Sequence, residues 1–315
     1  MSKYIFTTVL FLIIEILPVY SAPDTVVIGA EVISVSDIRL RDKQYTIEFQ
    51  IWFKCKNDSL ELFNTIEVLN TRSLNRSPVT KEKIGDIYWS TAKYNADMYL
   101  SWDLRYFPFV SQHMKIYIKE IFYDSGKLVF IPDSVNSVLS KDIVIDGWNL
   151  SSFKLLTKNI ESSSGFGNPI SGKLNFSAGE ISLYLERQHP LLVIEKILLP
   201  VWVAFFLSLV VFWIKPTNVD PRFGLPGAGL FASVANKYLI SDFTLGIPYQ
   251  IYVEIIHNHT FAMILVIIII SVISLHYCEN DKPNVYKKID KYSFYFILFA
   301  YLIDNIILLL NSYNQ

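Results

Sequence analysis

The sequence predicts an all-β extracellular sandwich followed by an all-α transmembrane bundle of four helices. Three observations lead to this fold class. The chain is 52% hydrophobic and only 18% charged, whereas soluble domains carry about 25% charged residues. Residues 22–190 contain short alternating runs separated by turn residues, which is typical of β-strands. Residues 191–315 contain stretches almost without charge that are long enough to cross a bilayer.

The first 21 residues predict a signal peptide. Lys3 precedes a short apolar run at 4–20, and the small Ser21 follows it at the expected cleavage site. The alternative is a membrane anchor that stays on the mature chain. Glu15 inside the run and the helix-breaking Pro18 favour a cleaved signal.

Residues 22–190 predict one β-sandwich or barrel. Runs rich in β-branched and aromatic residues include Thr25–Ile38, Gln44–Trp52 and Met114–Phe122. Turn residues such as Asp-Ser-Gly at 124–126 separate these runs, and no helical period persists across the region. The length suits a single β-domain. The chain has only two cysteines, too few for a disulfide framework.

Four helices are expected in residues 191–315, at about 192–214, 222–243, 255–278 and 291–312. The first, third and fourth are apolar enough to face lipid. The second is rich in small residues and contains Lys237, so it would be a poor lipid-facing helix on its own. It is reasonable as a helix that the other three surround and that faces water on one side.

The placement of lysine and arginine predicts the orientation in the membrane. The link after the first span contains Lys215 and Arg222, and the link before the fourth contains Lys282, Lys287 and Lys288. The link at about 242–258 has neither residue type. The positive-inside rule therefore puts the β-domain and the C-terminus outside the cell, extracellular or periplasmic. A cleaved signal peptide requires the same topology.

The second helix has a stripe of residues at steps of three and four, which places them on one face. Its members are Gly224, Ala228, Phe231, Ala235, Tyr238, Leu239 and Asp242. Such a stripe could line a pore with a hydrophobic constriction. The alternative is a helix–helix packing seam, in which Gly224, Gly227 and Gly229 allow close backbone approach. Periodicity alone favours the packing seam.

Other function classes find no support in the sequence. A net charge of −1 gives no electrostatic case for nucleic acid. His257 and His259 are two residues apart and would not share a helix face, so no metal site is expected. We find no phosphate-binding glycine loop after a strand and no nucleophile with a recognisable base motif. The sequence therefore predicts no enzyme and no cofactor.

Residues 100–114 read Leu-Ser-Trp-Asp-Leu-Arg-Tyr-Phe-Pro-Phe-Val-Ser-Gln-His-Met. This segment resembles the signature loop of pentameric ligand-gated ion channels, the Cys-loop receptor superfamily. Leu100 and Met114 stand at the cysteine positions, as in prokaryotic members that lack the disulfide, and Val110 replaces the usual Asp. Arg187-Gln-His-Pro190 resembles the family's passage into the membrane, and Asp220-Pro-Arg-Phe-Gly-Leu225 resembles its approach to the pore helix.

The resemblance implies a homo-oligomer of five subunits, with the second membrane helix lining a pore for permeating ions. It favours the pore over the packing seam for the stripe. A small-molecule or ionic ligand would bind outside the membrane, with Tyr123 and Phe166 as candidate contacts. Ile121 stands where amine receptors have tryptophan, so no amine ligand is assigned. Packing roles for Tyr123 and Phe166 stay open.

The resemblance also implies roles at the membrane face. Phe107, Pro108 and Phe109 would transmit ligand binding to the helices. Arg187 would join an ion-pair cluster, with Asp42 as a substitute for the acid missing at Val110. Simple snorkelling of Arg187 is the alternative.

Charge selectivity is assigned to Asp220, at the cytoplasmic mouth of the predicted pore. A ring of Asp220 carboxylates, with Asp242 at the other end, favours cations. The alternative is that Asp220 only pairs with Arg222 or Lys215 at the membrane surface.

A different class of function remains open. The chain could be a membrane-anchored sensor or adhesion receptor whose β-domain binds a ligand without ion conduction. Four spans with a small-residue second helix are more than an anchor needs.

Overall fold

The computed structural model describes residues 22–109, 111–162, 174–244 and 248–313. The predicted signal peptide at 1–21, Val110 and Phe166 lie outside these ranges, as does the side chain of Asp242.

The described part of the first 190 residues forms two β-sheets and one short helix. Helix α1, Leu62–Thr65, follows the second strand. The strands are β1 Asp24–Arg39, β2 Gln44–Cys55, β3 Ile66–Val68, β4 Thr71–Arg76, β5 Thr80–Ile84, β6 Ile87–Tyr99, β7 Gln112–Glu120, β8 Leu128–Pro132, β9 Val138–Leu139, β10 Trp148–Glu161 and β11 Asn175–Arg187.

The two sheets form a β-sandwich. One sheet has the order β4-β6-β2-β1-β8, with β5 on β6 and β9 on β1, and the other has the order β10-β11-β7-β3. Alternation along the strands builds the core between them. In β2 the inward residues Tyr45, Ile47, Phe49, Ile51 and Phe53 are at most 1% exposed. The predicted β-sandwich ahead of helices is therefore confirmed.

Four long helices follow the sandwich. They are α2 Pro190–Leu209, extended by a 3₁₀ turn at Val210–Trp213, then α3 Val219–Thr244, α4 Tyr252–Glu279 and α5 Pro283–Tyr313. Helix α5 begins eight residues before the predicted 291, because Pro283 suits the first helical position and the lysine-rich segment after it continues the helix. Helix α4 begins at Tyr252 and not at 255.

Three of the helical segments are long and apolar enough to cross a membrane: Pro190–Trp213, Tyr252–Glu279 and Pro283–Ser312. Helix α3 has 26 residues but includes Asp220, Arg222, Lys237 and Asp242, which lower its hydropathy. The described chain therefore has three apolar helices and one less apolar helix, and a bundle of four spans stays a prediction.

Candidate functional site

Helix α3 has one face that no other part of the described chain covers. The side chains of Phe231, Tyr238 and Leu239 on this face are 76%, 71% and 72% exposed. Gly224, Ala228 and Ala235 on the same stripe are also exposed. This exposed stripe coincides with the stripe read from the sequence, up to Leu239.

The opposite face of α3 is buried against α2 and α4. A Cβ added at Gly229 would lie 2.7 Å from the carbonyl oxygen of Ala204, so the backbones of α2 and α3 are in close contact there. At Gly224 and Gly227 an added Cβ would meet nothing within 4 Å. The packing seam inside one chain therefore includes Gly229 and excludes the other two glycines.

A hydrogen-bond network fixes the rotation of α3. The Asn236 amide donates to the Ile197 carbonyl at 2.9 Å and lies 2.9 Å from Nε2 of His257. Nδ1 of His257 lies 2.8 Å from the Val253 carbonyl. Because a carbonyl only accepts, Nδ1 of His257 bears the proton, and Nε2 accepts from Asn236. Three helices are thus joined through buried polar groups, which holds the stripe outward.

The start of α3 separates two charges that are close in sequence. Arg222 is fully buried, donates to Asp290 Oδ1 at 2.6 Å and also donates to the Ile214 carbonyl. Asp220 is exposed and forms no ion pair with any described residue. The surface pair between Asp220 and Arg222, one alternative from the sequence, is therefore wrong. Arg222 is instead neutralised by a carboxylate from α5.

His257 and His259 on α4 each lie within hydrogen-bond distance of a protein oxygen. His257 is held by the network above, and Nδ1 of His259 lies 2.6 Å from Oδ2 of Asp304 on α5. Within the ranges that the structure describes, no group of three or more potential metal ligands occurs.

The sandwich and the helices share a buried apolar cluster, called here the junction core. The loop after β6 contributes Trp102, Leu104 and Phe107, and Phe109 packs at its edge. The Phe107–Pro108 peptide bond is cis. The helices contribute Ile194, Leu198, Ile240, Tyr252, Val253 and Ile256, and Ile251 just before α4 also belongs to the cluster. The coupling residues predicted from the sequence thus lie where the two halves of the chain meet.

Polar contacts at the junction core centre on Tyr249, which lies just before α4. Its hydroxyl accepts the Leu104 N–H at 3.1 Å, and the Tyr252 N–H donates to the Arg105 carbonyl at 2.9 Å. Arg105 also pairs with Asp103 at 2.5 Å and lowers the pKa of that carboxyl. Sequence analysis missed Tyr249, although an aromatic residue in the link that lacks lysine and arginine was a usable signal.

The Arg187 guanidinium lies against aromatic rings and forms no ion pair with a described residue. Its guanidinium lies 4.9 Å from the ring centre of Trp148 and 5.8 Å from that of Phe107. Burial lowers the pKa of Arg187. Asp42 pairs with Arg39 at 3.9 Å, and no carboxylate in the described chain pairs with Arg187. The predicted Arg187–Asp42 pair is wrong because strand register places Trp148 directly opposite Arg187.

Tyr123, one of the two candidate ligand residues, lies at the edge of the sandwich core. It is half-buried and packs against the sandwich core, and its N–H donates to Glu120 Oε1 at 3.0 Å. It also lines a pocket of about 310 Å³ with Asn57 and Lys127. Because Phe166 lies outside the described residues, the predicted ligand contacts stay a prediction.

Comparison with known proteins finds a similarity to an ion channel. The chain is 24% identical over 187 residues to a proton-gated ion channel of Gloeobacter violaceus, a match that covers 59% of this chain and 49% of the relative. The chain thus matches about half the length of this curated relative. No protein-family model matches the sequence.

Proposed function

We propose that this chain is one subunit of a ligand-gated ion channel that assembles as a ring of five copies around a central pore. The exposed stripe of α3 is the main support. Its large apolar residues lie uncovered on a helix whose opposite face is tightly packed and hydrogen-bonded. The similarity to a proton-gated ion channel supports the same class of function.

A ring explains why α3 is less apolar than its neighbours. In a single chain, the exposed stripe would face lipid or require cover. The half-buried ammonium of Lys237, which donates to Asn258 Oδ1 at 2.6 Å, would lie within the membrane, where a charge costs about 3 kcal/mol. A closed ring places the stripe of each copy around a shared aqueous path. The three apolar helices then face lipid and the other subunits.

Within this pore, Phe231 forms the gate. It is the bulkiest stripe residue near mid-helix and is 76% exposed in the single chain. Five phenylalanine rings close together would exclude water and stop ions by dewetting.

Asp220 supplies the charge filter at the cytoplasmic mouth. It is exposed at the start of α3, while the neighbouring Arg222 is buried and neutralised by Asp290. Each copy therefore adds one uncompensated carboxylate to the ring, which favours cations. The sequence places Asp242 at the outer end of the same stripe, with the same sign of charge.

Ligand binding would reach the pore through the junction core. Phe107 and Phe109, on either side of Pro108, pack in this cluster from the sandwich side, and Tyr249 and Tyr252 contact the same loop from the helix side. In this scheme residues 1–21 are removed, 22–190 lie outside the membrane and 191–315 are embedded in it. The ligand is small or ionic, and protons are tested first because the relative is proton-gated.

Planar-bilayer recording from the purified chain tests the proposal. We expect current that depends on pH or on an added ligand, and native mass measurement is expected to give five copies. A reversal potential near the cation equilibrium potential under a NaCl gradient supports cation selectivity. A stable monomer, or a ligand-binding oligomer without current, would favour the sensor or adhesion receptor instead.

A further inference from the structure

A cavity of about 430 Å³ lies at the end of the helical bundle where the 3₁₀ turn after α2 meets α5. Lys215, Lys287 and Lys291 line it, together with Trp213 and Phe294. Asp290 is the only carboxylate in the described lining. The proposed pore and the junction core use none of these lysines.

The charges around this cavity are unbalanced. Asp290 is engaged with the buried guanidinium of Arg222 at 2.6 Å, so it does not offset the lysines. None of the three lysines forms an ion pair with a described residue. Lys287 and Lys291 are four residues apart on α5, a spacing at which like charges repel. The cavity therefore presents three positive charges that an anion would stabilise.

The aromatic residues place the cavity at the depth of the lipid headgroups. The Trp213 side chain is 74% exposed and its ring centre lies 5.3 Å from that of Phe294. Exposed tryptophan and tyrosine are enriched where a membrane meets water. Further along α5, Phe296, Phe299 and Ile303 are 74%, 57% and 56% exposed. An apolar surface suited to acyl chains thus runs on from a basic pocket.

We infer that this cavity binds the phosphate of an anionic phospholipid headgroup in the cytoplasmic leaflet. The lysines would contact the phosphate and the exposed residues of α5 would contact the acyl chains. Basic pockets between membrane helices on the cytoplasmic side are suited to such headgroups. The inference shares the membrane insertion of the proposed function, but it requires neither conduction nor a pore.

The lipid would also connect two parts of the bundle. Lys215 lies in the segment that leads into α3, whereas Lys287 and Lys291 belong to α5. One phosphate bridging them would add to the contact that Arg222 of α3 and Asp290 of α5 already make nearby.

Lipid retention by the purified full chain tests the inference. The test variant is Lys287→Gln/Lys291→Gln, and the matched control is Lys282→Gln/Lys288→Gln, which removes the same charge from exposed lysines outside the cavity. Phosphatidylglycerol and phosphatidylcholine are each titrated in detergent and bound lipid is counted by native mass spectrometry. Each lysine near a phosphate contributes roughly a fivefold factor in affinity, so the test variant should bind phosphatidylglycerol about 30-fold more weakly.

The control variant should bind within about threefold of the unmodified chain, since its lysines do not line the cavity. Equal weakening in both variants, or equal affinity of the unmodified chain for the two lipids, would overturn the inference. Inorganic phosphate at the same ionic strength should not displace the lipid. Displacement at matched concentration would show a soluble anion site instead.

Lys215→Gln provides a second variant if the double substitution disturbs assembly. It should weaken phosphatidylglycerol binding about fivefold, and unchanged binding would contradict the inference. Because binding is counted in detergent without a current, a conducting chain can fail this test and a non-conducting chain can pass it. The outcome is thus separable from that of the proposed function.

Discussion

Replacing Gly229 by alanine tests the contact between α2 and α3 that sets the direction of the exposed stripe. The new Cβ would lie 2.3 Å from Ser208 Oγ and 2.7 Å from the Ala204 carbonyl oxygen. Ser208 could rotate, although its hydroxyl now donates to that carbonyl at 2.7 Å. The carbonyl belongs to the α2 backbone, so the helices must separate by about 0.7 Å to reach an ordinary contact.

Two opposing free-energy terms set the change in stability that Gly229→Ala causes. Alanine favours a helix over glycine by about 1 kcal/mol, whereas overpacking a close contact costs about 1–3 kcal/mol. Gly227→Ala on the same helix is the matched control, because its new methyl group meets nothing within 4 Å. The helix-propensity term cancels between the two variants. Gly229→Ala should therefore be about 1–3 kcal/mol less stable than Gly227→Ala.

The assay is the temperature at which the purified oligomer in mild detergent loses half of its size-exclusion peak. Gly227→Ala should equal or exceed the unmodified chain, and Gly229→Ala should fall below it. Equal midpoints for the two alanine variants would refute the close contact of α2 and α3 at Gly229, and with it the rotation that places Phe231 on the exposed stripe.

Substitutions in α3, at the junction core and in β7 are each expected to change one measurable property. Phe231→Ser should raise the resting current or the ligand sensitivity, and unchanged gating at normal surface expression would contradict a pore-facing ring. Asp220→Asn should move the reversal potential toward the chloride potential, and an unmodified channel that already reverses there would rule out cation selectivity. Tyr249→Phe leaves the Leu104 N–H without its acceptor, a loss of about 1–3 kcal/mol; single-channel recording should show rarer opening at similar ligand affinity. Burial and then Lys115 lower the pKa of His113 in the fold, so its contribution to stability, complete above about pH 6.5, is lost as pH falls. His113→Phe, which keeps the stacking on Tyr184, should flatten that loss in thermal unfolding curves.

The sequence predicted the order of sandwich and helices because each has its own period. Buried and partly buried residues alternate along β2, whereas α2 and α4 contain long apolar runs. The predicted start of α5 was too late, because the uncharged span in the sequence begins only after Lys291. Lysines are compatible with a helix and extend their charge beyond the membrane surface. The helix therefore continues back to Pro283.

In the candidate site, too, features with a local sequence pattern could be predicted and those set by distant contacts could not. Periodicity identified the stripe of α3, but it could not show whether the stripe packs against other helices of the same chain. The packing of α3 within the chain depends on Gly229 and on Asn236, whose partners lie in α2 and α4. Tyr249 was missed for the same reason, because its partner Leu104 is 145 residues away in the chain. Contacts of this kind have no local pattern in the sequence.

The position of Arg222 bears most directly on charge selectivity. Read as a sequence, Asp220-Pro221-Arg222 places opposite charges two residues apart, and their sum is zero. In the fold, Arg222 is buried and neutralised by Asp290, whereas Asp220 remains exposed. Losing Asp290 would leave a buried arginine without its charge partner and would strongly destabilise the fold, so in the proposed channel Asp290 would hold Arg222 away from the mouth of the pore. In the proposed channel, Asp220 would then add one exposed carboxylate per subunit at the start of α3, and the buried pair of Arg222 with Asp290 would add no net charge beside it.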